Sequence, residues 1–109
     1  MKEYAIYVVP QFEQDLEQIV SWIEIDSPRN AANFLAAIEK AVGTLEFMPE
    51  RCPKAPEAES FQENLRQLLC MNHRIVYRVK RDSVEVLTLR SCRQDYMSKE
   101  MLRKLITLR

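Results

Sequence analysis

From Leu65 to Tyr96 the chain reads LRQLLCMNHRIVYRVKRDSVEVLTLRSCRQDY. Three apolar, β-branched runs stand out: Leu65–Met71, Arg74–Lys80 and Val84–Arg90. Runs of this length, joined by short polar links, predict an antiparallel meander, with Arg81-Asp82-Ser83 as its tightest turn. Successive side chains of a strand point to opposite faces. On the middle strand, Ile75, Tyr77 and Val79 therefore share a core side, and Arg74, Val76 and Arg78 share the other. Five arginines and one lysine lie between Asn72 and Tyr96. The alternation predicts that the arginines line a sheet face turned away from the core.

Upstream, Glu3 to Val9 (EYAIYVV) reads as a short strand closed by Pro10,. Pro10 suits the first turn of a helix. Phe12, Leu16, Ile19, Val20 and Ile23 then recur on one helical face. Asp26-Ser27-Pro28 predicts a stop and a restart, with Ser27 as N-cap and Pro28 at the first helical position. A second helix carries Ala31, Leu35, Ile38, Val42 and Leu45 on one stripe and ends at Pro49. Small residues at Ala32, Ala36, Ala37 and Ala41 let it approach a neighbour closely, so the two helices form a hairpin. Phe12 and Trp22 are expected to pack in the core or between helices. Glu50–Glu59 holds two prolines and no periodicity, which predicts a loop. Met97, Met101, Leu105 and Leu108 stand at helical spacing and predict a final amphipathic helix, either packed on the sheet or swung away from it.

The expected fold is α+β, in the order β-α-α-β-β-β-α. A sheet must bury one face, so the helical hairpin covers one side of it. The arginine-bearing side is left for solvent or a partner.

The chain has 109 residues, which suits one domain spanning 1–109,. No apolar run reaches the length of a membrane span. Met1–Pro10 lacks the features of a signal peptide. Cys52, Cys70 and Cys92 are odd in number and widely spread, which predicts reduced thiols in a cytoplasm. The net charge of zero conceals an asymmetry. Residues 1–64 hold 12 acids and 5 bases (−7), and residues 65–109 hold 4 acids and 11 bases (+7). Such a split predicts a surface for a polyanion or an acidic partner.

Catalytic signals are sparse. His73, the single histidine, has the chemistry of a general acid or base near neutral pH. Alternation, however, sets it opposite Arg74, on the core side. Cys70-x-x-His73 has metal-like spacing, but a closed zinc site needs four ligands and only the distant Cys52 and Cys92 remain. Neither a metal nor a cofactor is expected. The single glycine, Gly43, falls inside a helix, so no glycine-rich phosphate loop is available.

Taken together, the helix stripe, LEFMPERCP (Leu45–Pro53), LRQLLCMNHRIVYRV (Leu65–Val79) and LTLRSCRQDY (Leu87–Tyr96) resemble the RelE/ParE superfamily of bacterial toxins. These are the small toxins of type II toxin–antitoxin modules, also known as plasmid stabilisation proteins. The resemblance covers nearly the whole chain in the same element order. Its most specific parts are Arg66, the Arg74–Val79 strand and Arg93 after the last strand.

The resemblance implies one of two activities. The ParE-like branch binds and poisons DNA gyrase without chemistry of its own. The RelE-like branch cleaves messenger RNA on the ribosome with basic residues, a tyrosine and, in some members, a histidine or glutamate. The paired lysines of the RelE-like pattern are absent from Leu65–Cys70, and the histidine expected near Ser91 is absent. Tyr96 lies near the branch's tyrosine but at a different spacing. The expected function is therefore gyrase inhibition by direct binding, neutralised by a cognate antitoxin lying across the basic face. Arg66, Arg74, Arg78, Arg90 and Arg93 are the candidate patch for antitoxin or target, with Arg74 and Arg93 foremost. Arginine suits such a role because its planar fork donates paired hydrogen bonds. The alternative is a ribosome-dependent endoribonuclease, with Arg74 clamping phosphate, Arg93 stabilising the leaving group and Tyr96 donating a proton. A further alternative is an interaction module of the same fold that has lost toxicity.

Overall fold

The computed structural model describes residues 1–60 and 63–107. Strand β1 (Ala5–Val8) leads into helices α1 (Pro10–Asp26) and α2 (Pro28–Gly43). Three short 3₁₀ turns follow, at Thr44–Glu46, Pro49–Arg51 and Pro56–Ser60. Strands β2 (Leu65–Cys70), β3 (His73–Val79) and β4 (Ser83–Ser91) form the meander, and helix α3 (Lys99–Thr107) follows it. The sheet order is β1-β4-β3-β2. β1 runs parallel to β4, and the other pairs are antiparallel.

The boundaries follow from local chemistry. Pro10 and Pro28 each occupy the first helical turn, where a missing N–H costs nothing,. Ser27 closes α1 by donating its N–H to Ile23 O at 3.0 Å. Its hydroxyl oxygen then caps α2 by accepting from Asn30 N at 3.1 Å,. Just after α2, the Arg51 guanidinium donates to the carbonyls of Thr44, Phe47 and Met48 and ties the following turns together.

The tightest turn is not Arg81-Asp82-Ser83, as the composition suggested. It is Met71-Asn72, which joins Cys70 to its direct partner His73. Both turn residues have positive φ, 52° and 62°, the backbone of a two-residue turn whose twist matches that of the strands.

The hairpin of α1 and α2 packs on one face of the sheet. Phe12, Phe34, Ile38 and Leu45 join Ile75, Tyr77, Val84 and Val86 in the core. The Tyr77 hydroxyl, fully buried, donates to Pro49 O and ties the loop after α2 to the sheet. β4 carries an extra residue, Leu87, between the partners of Val76 and Tyr77. Every residue from Val84 to Leu89 is buried.

Three expectations are corrected. Phe12 is buried, but Trp22 is 74% exposed. It stands on the α1 stripe of Gln11, Asp15, Gln18 and Ile25, one residue off the stripe that meets the core. The arginine-bearing face is also not open, because Arg74 and Arg78 are 4% and 7% exposed. In the final helix the fully buried residue is Leu102, outside the expected stripe; Met97 is buried, while Met101 is 46% exposed. α3 is thus docked through Leu102, and Leu108 lies outside the described residues.

Candidate functional site

The five arginines of the expected patch do not form one surface. Arg66 turns to the loop after α2. It donates to the carbonyls of Glu50 at 3.1 Å and Cys52 at 2.8 Å, and to Asn64 Oδ1 at 3.1 Å. It serves as a clamp on Glu50–Pro53. Arg78 is buried against Glu85, with Nε 2.9 Å from Oε1, and also donates to Glu63 at 2.8 Å.

Arg74 is held more fully. Its two terminal nitrogens reach the Glu57 oxygens at 2.7 and 3.1 Å, and Nη1 also donates to Gln67 Oε1 at 2.7 Å. Glu57 accepts the Met97 N–H at 3.0 Å as well. Burial pushes the Glu57 carboxyl up, but the bonds from Arg74 and Met97 outweigh it and hold the group below the usual carboxylate range,. The Tyr96 ring lies 5.2 Å from the Arg74 guanidinium, a cation–π distance. The structure therefore brings Arg74 and Tyr96 together, but in a contact that covers the arginine.

Arg90 and Arg93 differ from these. Arg90 is the direct cross-strand partner of Arg74. Its Nη2 donates to Asp95 O at 2.9 Å, while its Nε, like that of Arg74, is buried with no partner among the described residues. Arg93 is exposed, and its backbone N–H donates to Ser91 Oγ at 3.1 Å.

His73 lies on the helix side, edge-on to Phe34 with ring centroids 5.0 Å apart, and its Nδ1 is 2.9 Å from Met71 O. It is separated from Arg74 by the sheet itself. Cys70 faces the same way, its thiol 3.7 Å from Ala37 O and pushed up by burial. No group of three metal-ligating side chains exists among the described residues.

What the structure offers instead is a groove of about 380 Å³ between α1 and α3. Its α1 wall presents Gln11, Asp15, Gln18 and Ile19, and its α3 wall presents Met101, Lys104 and Leu105. The floor is the end of β4, Thr88 to Arg90. The groove arises from unequal strands: β1 has four residues and β4 has nine. Past Val86, where β1 stops pairing, Asp15 of α1 takes over the edge. Its Oδ2 accepts from Leu89 N at 3.1 Å and from the Thr88 hydroxyl.

Sequence reasoning missed Glu57 and Asp15. Glu57 gave no signal, since it lies in a proline-flanked loop. Asp15 gave a weak one, because its stripe continues into Trp22 and Ile25, two large apolar residues on the polar side of an amphipathic helix.

The family model for the ParE toxin of the type II toxin–antitoxin system parDE matches residues 6–96. The chain belongs to the ParE toxin family. Among solved structures, the chromosomal ParDE TA system from P. aeruginosa is similar with a TM-score of 0.66 at 17% identity, over 82% of this chain and 96% of that one. At that identity the likeness speaks for the fold. No curated protein matches. The family match ends at Tyr96, so the α3 wall of the groove lies beyond it. No helix among the described residues is long and apolar enough to cross a membrane.

Proposed function

We propose that this ParE-type toxin acts by binding rather than by chemistry, with DNA gyrase as its cytoplasmic target, and that a cognate antitoxin neutralises it. One observation carries this reading. Cleavage of a phosphodiester by its 2′-hydroxyl needs a base, positive charge on the phosphate and an acid for the leaving oxygen. Here Arg74, the residue best matched to the phosphate role, is buried against Glu57 and Gln67 beneath Tyr96. His73 faces the helices on the far side of the sheet. Arg74 is thus covered rather than open to a phosphate, and His73 does not converge on it.

The test is to induce the protein in bacteria, map messenger RNA ends, and assay supercoiling by purified gyrase with the purified protein added. Loss of supercoiling with unchanged RNA ends is expected. Ribosome-dependent cuts that disappear in Arg93→Ala, with gyrase unaffected, would promote the ribonuclease reading. Neither effect, with robust growth at high expression, would identify an interaction module without toxicity.

A further inference from the structure

We propose that β1 is a docking edge for a second copy of this chain, and that the two β1 strands pair antiparallel about a two-fold axis at Tyr7. A sheet edge is a row of open N–H and C=O groups, and most of the edge of this sheet is closed. On β2, Gln67 N–H donates to Pro53 O at 3.1 Å and Leu65 O accepts from Ala55 N–H at 2.9 Å, which leaves Leu69 as the last outward residue before the turn. Past Val86, Asp15 closes β4. At the start of β1, Tyr4 N–H donates to Glu46 O at 2.8 Å. The rest of β1 is open. Ala5 N–H and Val9 N–H donate inward, to Asp82 O and Val86 O, each at 3.1 Å. Alternate residues of a strand turn their backbone groups to opposite neighbours, so Ile6 and Val8 aim theirs outward. β1 is the outermost strand, and Tyr7 and Val8 are 58% and 38% exposed.

The open stretch fits its own copy. Protected edges carry a charge, a bulge or a proline, but no charged residue stands between Glu3 and Glu13. With the axis at Tyr7, Ile6 faces Val8 of the second copy, and each such pair exchanges both of its N–H···O bonds. Tyr7 faces Tyr7 as a non-hydrogen-bonded pair, where side chains approach closest and an aromatic pair stabilises the seam. The lengths agree as well. Glu46 occupies the edge at Tyr4, and the incoming β1 ends at Val8, before Pro10 turns it into α1. Charge is complementary at both ends of the seam. Val9, at the N-cap of α1, makes no side-chain cap, so the first-turn N–H groups lack an acceptor from it,. The axis brings this helix start opposite Tyr4 of the other copy, beside Glu3 and Glu46, whose carboxylates suit the positive end of a helix,. Phe47, bridged to Glu3 on the same edge, and Met48 are 42% and 59% exposed and extend the apolar seam. The two-fold is perpendicular to the sheet. It joins two four-stranded sheets into one and keeps both helical hairpins on the same side,.

The experiment uses the full chain. Sedimentation velocity over a concentration series reads the association, and hydrogen exchange reads the Ile6 and Val8 amides. A dimer that dissociates on dilution is expected, with both amides protected in the dimer and exchanging in the monomer. Tyr7→Lys sets two like charges across the axis and should weaken association by about tenfold or more; circular dichroism checks that it folds. Cross-linking decides independently of that variant. In a Cys92→Ser background, which removes the exposed thiol, Tyr7→Cys should give a disulfide-linked dimer under mild oxidation. Leu69→Cys, 60% exposed on the opposite edge of the sheet, should not. A chain that stays monomeric at every concentration overturns the proposal. So does a dimer that folded Tyr7→Lys leaves at full strength, or one that Leu69→Cys cross-links and Tyr7→Cys does not. Protection of Ile6 and Val8 that appears only when the protein encoded by the adjoining reading frame is added gives the edge to that partner and also overturns it.

Discussion

Glu57 grips Arg74 with both carboxylate oxygens, and the same carboxylate accepts the N–H of Met97, two residues before α3 begins. One buried ion pair thus joins three parts of the chain: the 3₁₀ turn at Pro56–Ser60, strand β3 and the approach to the last helix. It also converts a residue with the chemistry of phosphate binding into one that organises the fold.

Breaking this pair from one side should be costly, because it strands a buried charge. Glu57→Gln is expected to destabilise the protein by about 3–5 kcal/mol, in the range seen for one-sided breaks. Replacing both partners, Glu57→Leu with Arg74→Met, should cost clearly less than the sum of the single changes. Urea unfolding of the four proteins in the cycle measures this. Additive effects would mean that the two residues do not act as a unit.

Stability should depend on pH in two opposing ways. The folded-state value of Glu57 is lowered, so its contribution is present above the ordinary 4.5 and is lost as pH falls through the lower folded value,. Glu46 is the reverse. Its side-chain hydrogen bond with Glu3, with burial and the Glu3 charge adding to the effect, raises its pKa above 4.5. Its contribution is complete below 4.5 and is lost as pH rises through the raised value,. The two contributions therefore run in opposite directions with pH,. Glu46→Gln should flatten the neutral side of the profile, and Glu57→Gln the acid side. Thermal melts across the pH range resolve the two arms.

Asp15→Ala should leave the Leu89 N–H and the Thr88 hydroxyl without partners, at a cost of about 1–3 kcal/mol,. It should also reopen the edge of β4 and promote self-association. Denaturation reads the first effect and sedimentation the second. A stable, monomeric Asp15→Ala protein would refute the role of Asp15 as an edge cap.

Trp22→Ala should change stability by no more than about 0.5 kcal/mol, since the ring is 74% exposed,. Fluorescence from this single tryptophan should be quenched by acrylamide as readily as that of free indole. A protected Trp22 would mean that the C-terminal end of α1 packs differently.

Most of the fold was legible in the sequence because its signals are local. Pro10, Ser27-Pro28 and Pro49 punctuate the helices through backbone constraints acting within a few residues. The period-2 pattern from Leu65 to Arg90 specifies the meander by itself. His73 falls on the core side of β3 for the same reason, as the alternation predicted. The amphipathic pattern of α1 located Phe12 in the core but was read too broadly at Trp22.

The arrangement of the arginines was not legible, and the reason is physical. Alternation tells which face a side chain leaves from, but not what arrives to cover that face. Glu57 is 17 residues from Arg74, in a segment without periodicity. Nothing in either stretch announces that a proline-flanked turn will fold back and neutralise a strand arginine. The groove has the same origin. Asp15 and Leu89 are 74 residues apart and meet only because β1 stops short while β4 runs on past it, beside α1. The sequence by itself determined the elements, their order and the family. The tertiary structure alone decided which charges are spent inside the fold, as at Arg74 and Arg78, because pairing a charge depends on distance in space and the sequence records only distance along the chain.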